Sequence, residues 1–353
     1  LLDRTYGDSW QILNDGLGFS AIRRTAIRFS PTYYKDNKIF STSNDSFLVS
    51  RDDGRHWSSF NIRNITWLPQ KVEKLLKIGM FSKTEYNRPF VPTMIMASPN
   101  YASDKTVFIS IRKHGLMRST DGGESFRTVW SKNQHDIDSM VVSPHYSEDR
   151  TLYFSCQEGN GIYRSTDGGD TWVEAGKGIE NDDRAVLAIS PVYQEDKTVF
   201  AGTGRGLFKT NTGGESWRKL EIQSGGSDHV DSIALSPDYA NDRELMISLR
   251  GRGLFRSRDG GETFSRIAQD MIAKNRALTM YMRFPERPNP IKYSPFYATD
   301  RTIYAISGEE LFVSEDGGDH WKIIERPVRY EDIRNDAIVY KDADDWKRVY
   351  HPE

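Results

Sequence analysis

The chain has 353 residues and a net charge of -2, since 48 basic residues are balanced by 50 acidic ones. This balance argues against a nucleic acid or an anionic membrane surface as the partner. No apolar stretch approaches the roughly 20 residues that are needed to span a bilayer, and residues 1–10 lack the pattern of a signal peptide. We therefore expect that, if the protein is exported, its signal has already been removed.

An eight-residue motif, Ser-x-Asp-x-Gly-x-x-aromatic, returns along the whole chain. Its full copies are Ser50–Trp57, Ser119–Phe126, Ser165–Trp172, Ser257–Phe264 and Ser314–Trp321. A degenerate copy, Thr210–Trp217, has Thr212 in place of the aspartate, and the N-terminal residues keep only Gly7 and Trp10 in phase. We call the turn predicted for each copy a box turn.

The aspartates of the full copies are Asp52, Asp121, Asp167, Asp259 and Asp316. Each is expected to accept hydrogen bonds from backbone N–H groups of its own turn, while the glycine supplies a conformation with positive φ. The aromatic residue is expected to pack back under the hairpin. Because the motif recurs and a catalytic site is needed only once, we predict that these aspartates are structural.

A second phrase, Ser-Pro-x-Tyr-x-x-Asp, repeats in register with the first. Its copies begin at Ser30, Ser98, Ser143, Ser190, Ser236 and Ser294. It is expected to form a turn in which the tyrosine and the aspartate attach the turn to a neighbour. Two independent phrases that share one period of about 46 residues indicate a repeat protein built from four-stranded units.

One unit illustrates the strand pattern. Residues 185–190, 197–203, 207–210 and 216–222 are four apolar strand-like segments, separated by the second phrase, a short hairpin and the box turn. The predicted fold class is therefore all-β, a single β-propeller over residues 1–353. Six units are clear. We favour seven blades, with strands from SWQIL at the N-terminus and from DAIVYK and WKRVYH at the C-terminus sharing the closing blade.

The box motifs resemble the Asp-box, or BNR, repeats of sialidase-like propellers, and the resemblance covers nearly the whole chain. Such propellers include sialidases, xyloglucan-degrading hydrolases, sortilin-type receptors and the photosystem II assembly factor. The resemblance implies the fold, but it does not select among these functions. Because these relatives are mostly exported, lumenal or extracellular, it implies an exported location.

Both repeated phrases are predicted to lie on one face of the propeller, so the opposite face carries the variable loops, where recognition is usually placed. The candidate binding residues in the hairpins of this face are Arg112, His114, Arg205, Arg250 and Arg252. Two longer inter-blade links, at about 60–92 and 266–290, supply the others, which are Trp67, Leu75, Leu76, Met280, Tyr281 and Phe284. The first link is expected to contain a short amphipathic helix. Packing of each link on its own propeller remains the alternative.

An enzyme is the competing hypothesis. Glycoside hydrolysis by two carboxylates would draw on Asp136, Asp138, Asp183 and Asp231, which lie near strand entrances on the loop side. The chain lacks the Arg-Ile-Pro phrase of sialidases. The sequence therefore favours a non-catalytic scaffold whose partner is another protein or a protein complex, such as a membrane-embedded one, over a glycan-binding or glycan-hydrolysing propeller.

Cysteine and histidine are too sparse for most metal chemistry. Cys156 is the single cysteine, so an internal disulfide is excluded, and its strand-like surroundings predict a buried, unreactive thiol. The seven histidines lack the spacing of zinc ligands. We therefore expect no metal site and no cofactor.

Overall fold

A computed structural model describes residues 27–42, 46–61, 92–112, 114–131, 136–156, 161–179, 185–226, 228–268, 291–307 and 310–324. These residues form a six-blade β-propeller, and each blade is a four-stranded antiparallel sheet of strands that follow one another in sequence. The all-β prediction is confirmed. The strands proposed for a seventh blade lie outside the described residues, as does the helix proposed for the first long link.

The blades contain the following strands. The first blade contains β1 Ile27–Phe29, β2 Ile39–Thr42, β3 Ser46–Ser50 and β4 Ser58–Asn61. The second blade contains β5 Pro92–Ala97, β6 Val107–Ile111, β7 Gly115–Ser119 and β8 Arg127–Trp130. The third blade contains β9 Ile137–Val142, β10 Leu152–Cys156, β11 Ile162–Ser165 and β12 Val173–Glu174. The fourth blade contains β13 Val186–Ile189, β14 Val199–Thr203, β15 Gly206–Thr210 and β16 Arg218–Leu220. The fifth blade contains β17 Val230–Leu235, β18 Leu245–Leu249, β19 Gly253–Ser257 and β20 Ser265–Ile267. The sixth blade contains β21 Ile291–Tyr293, β22 Ile303–Ser307, β23 Glu310–Ser314 and β24 Lys322–Ile324.

The second repeated phrase forms a one-turn helix in each blade, where the sequence predicted only a turn. The helices are α1 Tyr33–Asp36, α2 Tyr101–Asp104, α3 Tyr146–Asp149, α4 Tyr193–Asp196, α5 Tyr239–Asp242 and α6 Tyr297–Asp300. In the third blade the Asp149 carboxylate accepts hydrogen bonds from the Ser143 hydroxyl at 2.6 Å and from the Thr151 backbone N–H at 2.9 Å. The aspartate therefore fastens its own turn, and the predicted attachment to a neighbour is wrong for this residue.

The hydrophobic core lies between blades. Five clusters of buried side chains each join two consecutive blades, from the first and second to the fifth and sixth. In the first of these junctions, Phe40 packs edge-on against Tyr101 of the second blade, with ring centroids 5.4 Å apart. The thiol of Cys156 is buried in the cluster between the second and third blades, as predicted.

Basic side chains from the third strands add polar connections between blades. The guanidinium of Arg118 donates to the carbonyl of Gly168 in the box turn of the next blade at 2.5 Å. The same connection recurs from Arg164 to Gly213, from Lys209 to Gly260 and from Arg256 to Gly317, at 2.7, 2.9 and 2.6 Å. Each of these four blades is thereby fastened to the one that follows it.

Candidate binding face

The two repeated turns of a blade lie side by side. The backbone N–H of Gly122 in the second box turn donates to the carbonyl of Lys105 after α2 at 2.9 Å. Equivalent hydrogen bonds occur in the other five blades. The helices and box turns therefore share one end of each blade, which we call the box face.

The predicted hydrogen bonds of the box aspartates are present. In the third blade, one oxygen of Asp167 accepts from the Thr171 backbone N–H at 2.9 Å and from the Ser165 hydroxyl at 2.7 Å, and the other accepts from the Thr171 hydroxyl at 2.6 Å. The Ser165 hydroxyl in turn accepts from the Gly169 N–H at 2.8 Å. Both carboxylate oxygens are thus engaged within the turn.

These hydrogen bonds lower the pKa of the box aspartates. Burial alone would raise the pKa of Asp167, but the donors on Thr171 and Ser165 outweigh this effect and bring the value to about 2. In Asp52 the largest cause is the hydrogen bond from the His56 backbone, and the pKa is again about 2. The carboxylates are therefore held ionised where they stabilise the turn.

The degenerate box turn keeps the same pattern of backbone hydrogen bonds, with a hydroxyl in place of the carboxylate. The hydroxyl of Thr212 accepts from the Ser216 backbone N–H at 3.1 Å, and the Thr210 hydroxyl accepts from the Gly214 N–H at 3.0 Å. A threonine has one oxygen where aspartate has two. The fourth blade therefore forms its turn with a weaker acceptor.

The box aromatic residue reaches across to the preceding blade. Trp172 donates from its indole nitrogen to Gly169 in its own turn at 3.0 Å and to Val129 of the second blade at 3.1 Å. Trp217 likewise donates to Ala175 of the third blade at 2.6 Å. The aromatic residue thus joins two blades, whereas the sequence predicted packing under its own hairpin alone.

The opposite end of the blades, which we call the loop face, carries the hairpins between second and third strands and the inter-blade links. In the second blade, Arg112 lies 3.7 Å from a carboxylate oxygen of Asp136, which precedes β9. His114, in the same hairpin, is half-buried, and burial lowers its pKa. Arg112, a predicted binding residue, therefore pairs with Asp136, one of the carboxylates that glycoside hydrolysis would use.

A second ion pair lies on the loop face of the fifth blade. Arg250 donates to Asp231 through Nη2 at 2.6 Å and through Nε at 3.2 Å. The imidazole of His229 approaches the same carboxylate at 3.5 Å. The Asp231 side chain is 14% exposed and that of Arg250 is 42% exposed, so the arginine covers the carboxylate and forms the outer surface.

Arg252 organises the link that leads into the fifth blade. Its guanidinium donates to the carbonyl of Ser224 at 3.2 Å and lies close to Gly226, where a Cβ atom would clash with it. The Ser224 hydroxyl donates to Asp228 at 2.6 Å. These contacts place Arg252 beside the link between the fourth and fifth blades.

The remaining candidates lie outside the described residues. They are Trp67, Leu75, Leu76, Met280, Tyr281 and Phe284, together with Asp183. Asp138 lies within β9, half-buried. Within the described ranges, no three metal-ligating side chains are grouped as a metal site would require, and no helix is long and apolar enough to cross a membrane.

Sequence reasoning identified the separate residues of this face but missed the contacts between them. The spacing of Asp231 and Arg250 along the chain gave no indication that their side chains meet. A usable signal was their position, since Asp231 is the second residue of β17 and Arg250 directly follows β18, at the loop end of this antiparallel pair. Charged residues at such opposed positions are expected to approach one another.

No protein-family model and no curated protein sequence matches the chain. Solved structures do resemble it. YCF48 bound to D1 peptide is 14% identical, with a TM-score of 0.54 over 86% of this chain and 81% of that one. An ancestral GH74 enzyme is 16% identical, with a TM-score of 0.59 over 89% of this chain and 39% of that one.

The GH74 xyloglucanase from Xanthomonas campestris is 13% identical, with a TM-score of 0.57 over 90% of this chain and 47% of that one. The chain therefore spans less than half the length of these two GH74 proteins. At these identities the similarities establish the propeller fold alone. The similar structures include two GH74 proteins and YCF48, which is not named as a glycoside hydrolase.

Proposed function

We propose that this protein is a non-catalytic binding scaffold that presents its loop face to another protein. The observation that carries the proposal is the pairing of the carboxylates there. Asp136 lies beside Arg112, and Asp231 is covered by Arg250. Glycoside hydrolysis needs one carboxyl group to protonate the leaving oxygen and another to act as nucleophile or base, and each must direct an oxygen at the sugar. A carboxylate whose oxygens face a guanidinium is poorly placed for either step.

The same pairing suits recognition of a protein. Arg250 is held by Asp231, so its guanidinium reaches the surface without the full entropy loss of a free side chain. Arg205 adds an exposed cation on the adjoining hairpin. Arginine is enriched in protein interfaces because it combines several donors with an extended planar surface. The expected partner belongs to a protein complex, such as a membrane-associated one, in an exported compartment.

The solved structure of a similar propeller with a bound peptide supports the proposal that the partner is a protein. YCF48, which aligns over 81% of its length, has been solved with D1 peptide. The second candidate function is binding or hydrolysis of a glycan such as xyloglucan, which is favoured by the likeness to GH74 structures. It would use Asp138 or Asp183, which the sequence places near strand entrances on the loop side.

The two functions are separated by a capture experiment run beside a hydrolase assay. The full chain is immobilised, the proteins retained from the native source are identified by mass spectrometry, and the affinity of the leading partner is measured with purified protein. Removal of residues 62–90 should abolish this binding while thermal unfolding stays cooperative. Unchanged binding would exclude the first link from the interface.

The hydrolase assay uses xyloglucan and a glycan array. We expect no turnover from the full chain. Turnover that is lost in Asp138→Asn or Asp183→Asn, with stability unchanged, would contradict the scaffold and establish the enzyme. Glycan binding without turnover would keep the scaffold but change its ligand class.

A further inference from the structure

Three side chains of the fifth blade meet on the loop face, and one of them is a carboxylate. The Oδ1 atom of Asp231 accepts hydrogen bonds from Nη2 of Arg250 at 2.6 Å and from Nε at 3.2 Å. The Nε2 atom of His229 lies 3.5 Å from the same oxygen. The second oxygen, Oδ2, accepts a longer hydrogen bond of 3.4 Å from Nε of Arg250. An arginine and an imidazole therefore approach one acceptor atom.

The backbone holds Arg250 and His229 next to each other. The N–H group of Arg250 donates to the carbonyl of His229 at 2.9 Å, one position beyond the paired residues Val230 and Leu249. This hydrogen bond extends the antiparallel pairing of β17 and β18. The two side chains thus reach Asp231 from fixed backbone positions, so an exchange between them needs only side-chain rotation.

The site is sheltered from bulk water but open to protons. The side chain of Asp231 is 14% exposed and that of His229 is 28% exposed, whereas that of Arg250 is 42% exposed. Charges that are partly buried interact more strongly than charges at the open surface, because salt and water screen them less. A positive charge on His229 would therefore act strongly on the neighbouring carboxylate.

Other charged groups of the described residues flank the imidazole of His229. Asp228 directly precedes it and accepts from a serine hydroxyl of the same link at 2.6 Å, and Arg252 donates to the carbonyl of that serine. On the fourth blade, Arg205 is exposed in its hairpin, and the Lys219 side chain lies beside the glycine that follows it. These charges set the local potential in which the imidazole titrates.

We propose that His229 and Arg250 compete for Asp231, so that protonation of His229 loosens the arginine and weakens binding of a partner at the loop face. The consequence for binding rests on the proposed function. An imidazole with the unperturbed pKa of about 6.5 is mostly neutral above about pH 7 and leaves the carboxylate to the arginine. The imidazolium carries a hydrogen on both nitrogens, so Nε2 becomes a charged donor near Oδ1.

Protonation of His229 thereby changes the binding surface. The charged imidazole takes up part of the accepting capacity of Oδ1, so the Arg250 guanidinium samples more orientations. A partner then has to order this side chain when it binds, and the lost side-chain entropy opposes binding. Binding is therefore expected to weaken as the pH falls through the pKa of His229.

An NMR titration of the full chain measures whether the two side chains compete. The signal of His229 is assigned from its loss in His229→Gln. The pKa of His229 should rise by at least about 0.5 pH unit in Arg250→Met, because the carboxylate then serves the imidazole alone. In an Asp231→Asn background, Arg250→Met should shift this pKa by less than about half as much, since competition requires the carboxylate. Direct repulsion between the two positive charges would give the same shift in both backgrounds.

Partner affinity measures the consequence for binding. Calorimetry at about pH 7.5 and about pH 5.5 should show at least about threefold weaker binding of the captured partner at the lower pH, the factor that corresponds to 0.5 pH unit. His229→Gln should remove this difference. His56→Gln is the matched control and should retain it, because His56 pairs with Asp52 at 2.6 Å on the box face.

The two measurements fail in different ways. A pKa of His229 that Arg250→Met leaves unchanged, or shifts equally in both backgrounds, would overturn the competition. Binding that tightens at the lower pH, or a pH dependence that persists in His229→Gln, would overturn the regulation. A chain that captures no partner at either pH would refute the proposed function, while the titration still decides whether the two side chains compete.

Discussion

The hydroxyl of Tyr297 in the sixth blade donates to the carboxylate of Glu244 in the fifth blade at 2.5 Å. Glu244 is only 1% exposed, and Arg258 and Arg301 approach its other oxygen at 3.3 and 3.5 Å. Burial raises the pKa of Tyr297, and the hydrogen bond to Glu244 raises it further. A buried carboxylate with these three partners fastens the two blades together.

Substitution of this carboxylate should be costly. Glu244→Ala leaves the Tyr297 hydroxyl and two arginines without their acceptor, so we expect a loss of about 3 kcal/mol in the free energy of unfolding. Thr198→Ala is the matched control, because Thr198 is a buried residue at the same position of the fourth blade and donates only to its own turn. Urea unfolding of both variants measures the difference. Equal losses would show that the inter-blade network adds nothing.

The box turns offer a paired test of structural against functional roles. Asp167→Ala removes the acceptor of three hydrogen bonds and should cost about 1 to 3 kcal/mol. Thr212→Asp should stabilise the fourth blade, because it restores the second oxygen. The melting temperature of each variant is compared with its partner affinity at a temperature where both are folded. A loss of binding with unchanged stability in Asp167→Ala would make the box a functional site.

Acid should destabilise the protein through the same aspartates. The folded-state pKa of Asp167 and Asp259 is about 2, below the ordinary value of 3.8. A lowered pKa contributes stability that is complete above the ordinary value and is lost as the pH falls from about 4 to about 2. Urea unfolding across this range should show the decline, and Asp167→Asn should show less of it. An identical pH dependence in the variant would contradict the assignment.

The basic connections between blades should also be measurable. Arg256 is buried and bonds both the Gly317 carbonyl and the Asp319 carboxylate of the next blade. Arg256→Met should therefore destabilise the protein by about 2 to 3 kcal/mol. Arg266→Met, at an exposed position of β20, should have little effect. Surface substitutions usually change the free energy of unfolding by no more than about 0.5 kcal/mol. If the costs of Arg256→Met and Arg266→Met differ by less than about this amount, the connection is energetically neutral.

The fold was predictable because its signals are local in sequence. The Ser-x-Asp-x-Gly turn closes through hydrogen bonds that span four residues or fewer, so its pattern survives in the sequence and returns with each blade. Thr212 could be recognised as a degenerate aspartate for the same reason. The strands of the fourth blade, β13 to β16, begin and end within two residues of the predicted segments.

The contacts of the candidate site were less predictable because they join distant residues. Arg118 and Gly168 are 50 residues apart, and Arg112 meets Asp136 only after two blades have packed together. Glu244 replaces the threonine of most other blades, but the sequence alone does not reveal that Tyr297 and two arginines surround it. Position in the blade, more than residue type, determined these partners.

The central claim, that the loop face binds a protein partner, is tested most directly by two charge reversals. Arg205 is exposed in a loop-face hairpin, and Arg55 is exposed in a box turn on the opposite face. The affinity of the captured partner is measured for Arg205→Glu and Arg55→Glu by titration calorimetry, with unfolding curves as a control for stability. We expect at least about tenfold weaker binding for Arg205→Glu, equal to 1.4 kcal/mol, and unchanged binding for Arg55→Glu. Weaker binding for Arg55→Glu with wild-type affinity for Arg205→Glu would contradict the claim and place the partner on the box face.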